Sequence, residues 1–181
     1  MSDALHPELR RLLDREALRE LIHAYAQAAD RRDLDKLRLL YHDDAVDEHG
    51  RFSQGSAMEF IDRLPEIQKH MAILQHHITT VNLKVVGDEA EGEVYVIAFH
   101  QVDQDGARSD YVVHGRYLDK YSRRDGVWKF SRRALVADWM YVAEPSAVRL
   151  DHPFVAGSHI GAAGEDDPSY GYFSLLRRGR R

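Results

Sequence analysis

The sequence predicts an α+β fold, a curved antiparallel sheet wrapped over about three N-terminal helices, and three observations predict it. Between Glu8 and Tyr41 the apolar residues recur at three- and four-residue steps, the period of a helix with one buried face. From His77 onward β-branched and aromatic residues alternate with polar ones. The breaks between those alternating runs are short and mostly carry glycine, as the connections of antiparallel hairpins do. Helices first and a meander afterwards is the order of a sheet packed against helices rather than of repeated βα units.

Taken in order, the first helix runs from Glu8 to Arg31, with Leu12, Leu13, Leu18, Leu21, Ile22, Tyr25, Ala28 and Ala29 on its apolar stripe. Asp33 caps a shorter helix in which Leu34, Leu37, Leu40 and Tyr41 share a face. A short strand is expected around Ala45 to Phe52. Ser56 and Glu59 form a capping box ahead of Phe60, Ile61 and Leu64, and Pro65 is expected to interrupt that third helix. Strands follow at Ile78 to Val86, Ala90 to Val102, Ser109 to Ser122 and Val127 to Ala137. Residues 1–141 therefore read as one domain. Beyond Tyr141, Pro145, Pro153, Gly157, Gly161, Gly164 and Pro168 break any periodicity, so residues 142–181 read as an extended arm of the same domain or a subunit contact. Phe154, Tyr170, Tyr172 and Phe173 are the anchors expected to dock it, over a pocket mouth or onto a neighbouring subunit.

Composition narrows the function. A net charge of -5 and a pI near 6.1 supply no general attraction for nucleic acid or anionic lipid. The basic group Arg177, Arg178, Arg180 and Arg181 reads as a solvated cluster, because nothing aromatic or basic upstream extends it. With no cysteine, disulfides, thiolate nucleophiles and cysteine-ligated metal centres are excluded. The polar opening MSDALHPELR and the absence of any apolar run near the ~20 residues of a membrane span point to a cytoplasmic protein without membrane partners. No Gly-rich phosphate loop, HExxH or G-x-S-x-G occurs. His42, Asp43, Asp44, Asp47, Glu48 and His49 are dense in potential ligands, but consecutive residues of a turn rarely converge on one ion, so they are read as a solvated loop and no metal is expected.

What remains is proton-transfer chemistry. Asp30, at the end of the first helix, lies on the edge of the apolar stripe, and His76 opens the first strand of the meander. A carboxylate that orients an imidazole makes it a usable base near neutral pH. His76 and His77 point to opposite faces of an extended segment, so one of them lines a pocket. His100 shares a face with Val96 and Ala98, and Arg116 shares one with His114, Leu118 and Lys120. If that second face looks inward, Arg116 is a pocket cation able to hold developing negative charge; if outward, it is a cross-strand ion-pair partner.

At these residues a resemblance enters. AYAQAADRRDLDKLRLLYHDDAV, QHHITT, FHQ and YSRRDGVWKFSRR, in this order and spacing, resemble the SnoaL-like branch of the nuclear transport factor 2-like superfamily over about residues 8 to 141, the scytalone dehydratases and hexachlorocyclohexane dehydrochlorinases in particular. The resemblance implies a cone-shaped fold whose curved sheet and helices enclose a deep apolar pocket, a homo-oligomer (dimer or trimer) and no cofactor. It places the family's acid on Asp30, its base on His76 rather than His77, and its second pocket histidine on His100. Tyr25, His49, Arg116 and Trp139 are the candidates for holding substrate. The tyrosines with which scytalone dehydratases hold a water against the substrate carbonyl fall on Ala29 and His49, so a different substrate is implied. The expectation is a cofactor-independent lyase, a dehydratase-type elimination on a small hydrophobic, aromatic or polycyclic molecule. An isomerase, cyclase or retro-aldol-type aryl-propane lyase would use the same base. A noncatalytic small subunit of an aromatic-ring dioxygenase, or a ligand-binding protein, would need none.

Overall fold

A computed structural model describes residues 6–104, 106–147, 150–176 and 178–180; Arg177 and Arg181 of the basic cluster lie outside the described residues. Helix α1 (Pro7–Asp30) starts where the His6 side chain accepts a hydrogen bond from the Glu8 amide and Pro7 takes the position whose amide would be unsatisfied anyway. It ends where the Asp33 amide bonds the Ala28 carbonyl at 2.8 Å and Arg32 turns to positive φ. Asp33 then caps α2 (Leu34–Leu40) by accepting from the Lys36 amide. Strands β1 (Tyr41–Glu48) and β2 (Gln54–Ser56) precede α3 (Ala57–Gln68), and the long strands β3 (Met71–Val86), β4 (Glu89–Gln104), β5 (Ala107–Arg124) and β6 (Val127–Ala143) complete one sheet of order β2-β1-β6-β5-β4-β3.

The α+β architecture is the expected one, with four differences of detail. The sheet is mixed, because β1 pairs with β6 in parallel; no hairpin joins them, so no turn imposes the antiparallel sense. Tyr41 leaves the helix stripe and opens β1, the loop read as solvated being this strand. Helix α3 continues through Pro65 to Gln68. Proline's fixed φ is helical and Leu64 and Gln68 are buried around it, so burial outweighs the one lost hydrogen bond. Strand β3 begins at Met71, so His76 lies within the strand rather than at its start.

Pairing register lines side chains up in rows that cross the concave inner face. Innermost is Val85, Ala90, Tyr121 and Phe130, with Tyr41 of β1 beside Phe130. Next come Leu83, Gly92, Asp119, Arg133 and Asp47, then Val81, Val94, Tyr117 and Leu135. Above them are Ile78, Val96, Gly115 and Ala137, and then His76, Ala98, Val113 and Met140. The row at Leu74 contains His100, Tyr111 and Val142. Helix α1 covers the inner rows with Leu18, Leu21, Ile22 and Tyr25, all buried. Depth in the cone is therefore set by strand position, and the histidines sit near the open end.

Gly115 is the point of closest approach in this sheet. A Cβ there would stand 2.4 Å from the Val136 carbonyl oxygen, a backbone atom beside the irregular register between His114 and Gly115. Gly115→Ala is expected to destabilise the fold by roughly 1–3 kcal/mol through overpacking, read as a lowered urea midpoint at unchanged m-value.

Candidate active site

Asp30 is the last residue of α1 and His76 the sixth of β3, and the close packing of that helix end against that strand brings them together. His76 Nδ1 lies 2.7 Å from Asp30 Oδ1, while the His76 backbone amide donates to Asp30 Oδ2 at 3.0 Å. The carboxylate is gripped at both oxygens, which fixes imidazole orientation and places the Nδ1 proton toward the acid. Nε2 is then the basic nitrogen, and it has no hydrogen-bond partner among the described residues. Both side chains are almost wholly buried, at 11% and 12% exposure for His76 and Asp30. His77 is exposed on the other face of the strand, as alternation requires.

His100, one row outward on β4, meets His76 edge to ring with centroids 6.1 Å apart. Burial, reinforced by the neighbouring His76, pushes its pKa down to about 4, so at neutral pH it is an uncharged imidazole that can donate or accept a hydrogen bond. The linkage has a definite sign. The unfolded chain binds this proton below ~6.5 and the folded chain only below about 4, so His100 makes stability fall as pH drops across that window. His100→Gln is expected to flatten the pH dependence of stability in that interval, measured by urea unfolding at a series of pH values.

The substrate-binding candidates divide. Arg116 and Trp139 are corrected: they occupy the outer face of the sheet. Arg116 pairs with Asp138 at 2.7 Å and Glu93 at 2.6 Å, and Trp139, 55% exposed, stacks on His114 with centroids 3.8 Å apart. Strand parity explains this, since the inner face of β5 belongs to Gly115, Tyr117 and Asp119 and Arg116 falls between them. Tyr25 faces inward but is sealed in the core, edge-on to Tyr41, Tyr117 and Phe130, and burial holds its phenol well above the ordinary pKa. His49 faces inward at the end of β1, stacked on Phe60 of α3 and near the Tyr117 ring.

The buried cation expected of Arg116 is Arg133. Its side chain is wholly buried, pairs bidentately with Asp119 at 2.7 Å, and lies 4.0 Å above the rings of both Tyr25 and Tyr117. Its Nη1 has no hydrogen-bond partner among the described residues. The signal was present as an acid and an arginine at inward positions between aromatic residues, but the run Arg132-Arg133 reads as an ordinary polar pair. Within the acid and histidine group of β1, Asp44 pairs with Arg124, His42 meets the Ser122 carbonyl, and Glu48 pairs with Arg132. Asp47, however, is wholly buried, not solvated.

The segment after β6 returns to the end of α1. Arg31 donates to the Ala162 carbonyl at 2.8 Å and pairs with Asp167 at 3.1 Å, while the Gly179 amide donates to Asp33. A cleft of about 360 Å³ lies between Asp30 and Leu74 on one side and Leu150, Val155 and Ile160 on the other. The arm thus docks beside the Asp30–His76 pair of its own chain.

A SnoaL-like domain model matches residues 10–134, well over half of the chain. The chain belongs to the SnoaL-like family. No curated protein matches. Among solved structures, a hexachlorocyclohexane dehydrochlorinase (LinA, type 2) is similar at TM-score 0.70 and 23% identity, covering 81% of this chain and 98% of its own. A Novosphingobium aromaticivorans protein assigned as a scytalone dehydratase is similar at TM-score 0.65 and 23% identity, covering 76% and 96%. An NTF2-like protein with a cystatin-like fold from the same species is 26% identical at TM-score 0.62, covering 76% and 92%. At these identities the structural likeness establishes the nuclear transport factor 2-like fold. Among the described residues no helix is long and apolar enough to cross a membrane, and no group of three or more histidines and acids gathers to hold a metal ion.

Proposed function

We propose that the protein is a cofactor-independent lyase that eliminates water, or a comparable leaving group, from a small hydrophobic, aromatic or polycyclic molecule. The observation that carries this reading is the two-point contact of Asp30 with His76, at 2.7 and 3.0 Å, with Nε2 left unpartnered. A residue kept only for packing has no need of a fixed tautomer; a general base does. The dehydrochlorinase and dehydratase names among the structural neighbours agree with it.

In this reading His76 Nε2 removes a proton from carbon, and Asp30 stabilises the resulting imidazolium. The electron pair forms the double bond as the leaving group departs, and neutral His100 offers it a hydrogen bond. The apolar rows formed by Val96, Ala98 and Val113 exclude water and hold the ring system. Isomerisation would use the same base without loss of a group. The test is turnover of a bicyclic β-hydroxy ketone such as a β-hydroxytetralone, whose loss of water yields a fluorescent naphthol, without added cofactor. Naphthol formation above the buffer rate supports the reading, and elimination no faster than in buffer across a panel of such ketones overturns it. The natural assembly is proposed to be a homo-oligomer.

A further inference from the structure

A groove lies on the flank of α1, away from the elimination site. One wall runs along α1 from Glu16 to Gln27 and includes Lys36 of α2. The other wall is the arm, through the short helix α4 (Pro168–Tyr172) and then Phe173 and Leu176. The groove holds about 920 Å³, room for a small organic molecule. Neither Asp30 nor His76 lines it.

Where α1 meets α2 this groove has more donors than acceptors. Lys36 is half-buried and its ammonium donates to Gln27 Oε1 at 2.9 Å, and among the described residues no carboxylate forms an ion pair with it. Two of its three N–H groups are therefore unused by those residues. Gln27 takes that bond at its oxygen, which leaves its NH2 group free to donate. The Tyr170 hydroxyl is buried beside Gln27 and Arg178, yet makes no hydrogen bond of ordinary geometry. Asp33 is the acid that acts on Lys36, but its oxygens accept from the Lys36 and Gly179 amides. Burial outweighs it and lowers the Lys36 pKa. A cation taken out of water without a paired counter-ion is costly, so the groove favours an anion at this point.

The rest of the lining decides which anion. Arg31 and Asp167 neutralise one another at 3.1 Å, while Glu16 and Glu20 offset Arg19 further along α1. A dianion such as a phosphate monoester would meet those carboxylates with one ammonium to hold it. A carboxylate asks for one positive charge and two or three donors, which is what Lys36, Gln27 and Tyr170 offer. Beyond them the lining is apolar at Ala24, Phe173 and Leu176, the last two 45% and 66% exposed. A hydrocarbon lying along the groove would cover them.

We propose that this groove is a second ligand site, for a small apolar monocarboxylic acid. Its carboxylate sits among Lys36 Nζ, Gln27 Nε2 and the Tyr170 hydroxyl, and its hydrocarbon part lies between Ala24 and Phe173. Such a ligand bridges the helices and the arm. The same arm holds Arg31 through Asp167 and forms one wall of the cleft beside Asp30, so occupancy of the groove stabilises the arm in its docked position. The site does not depend on His76 being a base.

The probe is 2-naphthylacetate, titrated into the purified full-length protein by calorimetry and followed by nitrogen–proton NMR. Expected is saturable binding with shifts in the Gln27 side-chain amide and in residues 167–176. Affinity should fall at least ~10-fold for Lys36→Met, and equally for the neutral 2-naphthylacetamide on the wild type. The amide comparison needs no variant, so it decides even where Lys36→Met folds poorly. Phe173→Ser, at an exposed position, should weaken binding roughly three- to tenfold with an unchanged circular-dichroism spectrum. Saturating probe should also slow thermolysin cleavage before Leu176 in the wild type; an unchanged rate removes the effect on the arm. No saturable binding, equal affinity for the acid and its amide, unchanged affinity in a folded Lys36→Met, or shifts confined to the surroundings of His76 and His100 overturns the inference.

Discussion

His76→Gln is expected to reduce elimination roughly a hundred- to ten-thousand-fold in kcat, the range that loss of a positioned general base produces. The substitution keeps much of the volume and removes the basic nitrogen, so near-wild-type circular dichroism and urea midpoint should accompany the loss. Asp30→Asn should fall in the same range for a different reason. An amide cannot stabilise the imidazolium, and by donating from its NH2 group it favours the wrong imidazole tautomer. The two effects should not add, because both residues act as one unit. Full activity in either variant, measured on a substrate that the wild type turns over, would remove this pair from the mechanism.

Asp119→Ala is expected to destabilise the protein by about 3–5 kcal/mol, the largest stability effect of any single side chain here. Arg133 is wholly buried and, among the described residues, its only ion-pair partner is Asp119, which also accepts from the Tyr121 hydroxyl at 2.7 Å. Truncation leaves a guanidinium and a phenol unpaired in the core. The double variant Asp119→Leu with Arg133→Met should recover most of that loss, since replacing a buried pair by apolar groups of similar volume is often neutral. Urea unfolding of the three proteins decides this. A destabilisation below ~1 kcal/mol in the single variant would mean that the aromatic rings around Arg133 suffice to hold its charge.

Much of the fold was legible because its signals are local. The apolar stripe of α1, the Asp33 and Ser56 caps and the turn residues between strands depend on residues within a few positions of one another. The Asp30–His76 contact was legible in outline, since a helix end and an inward strand position are both readable from periodicity and the family resemblance joins them. Arg116 and Trp139 were misplaced because alternation gives two faces without saying which is the inner one. Asp47 and Arg133 were overlooked because a charge buried at a row shared by β1, β5 and β6 becomes intelligible only once those strands are side by side.

The sequence by itself therefore determined the α+β class, the order of helices and strands and the absence of thiol chemistry, all of which follow from residue type and short-range period, while the family resemblance named the acid and base candidates. Tertiary structure alone decided which strand face turns inward, that β1 lies parallel to β6, that Arg133 rather than Arg116 is the buried cation, and that Asp47 orients His49. Those are outcomes of pairing between segments up to a hundred residues apart. Their energy depends on burial and counter-charge, which no local pattern records.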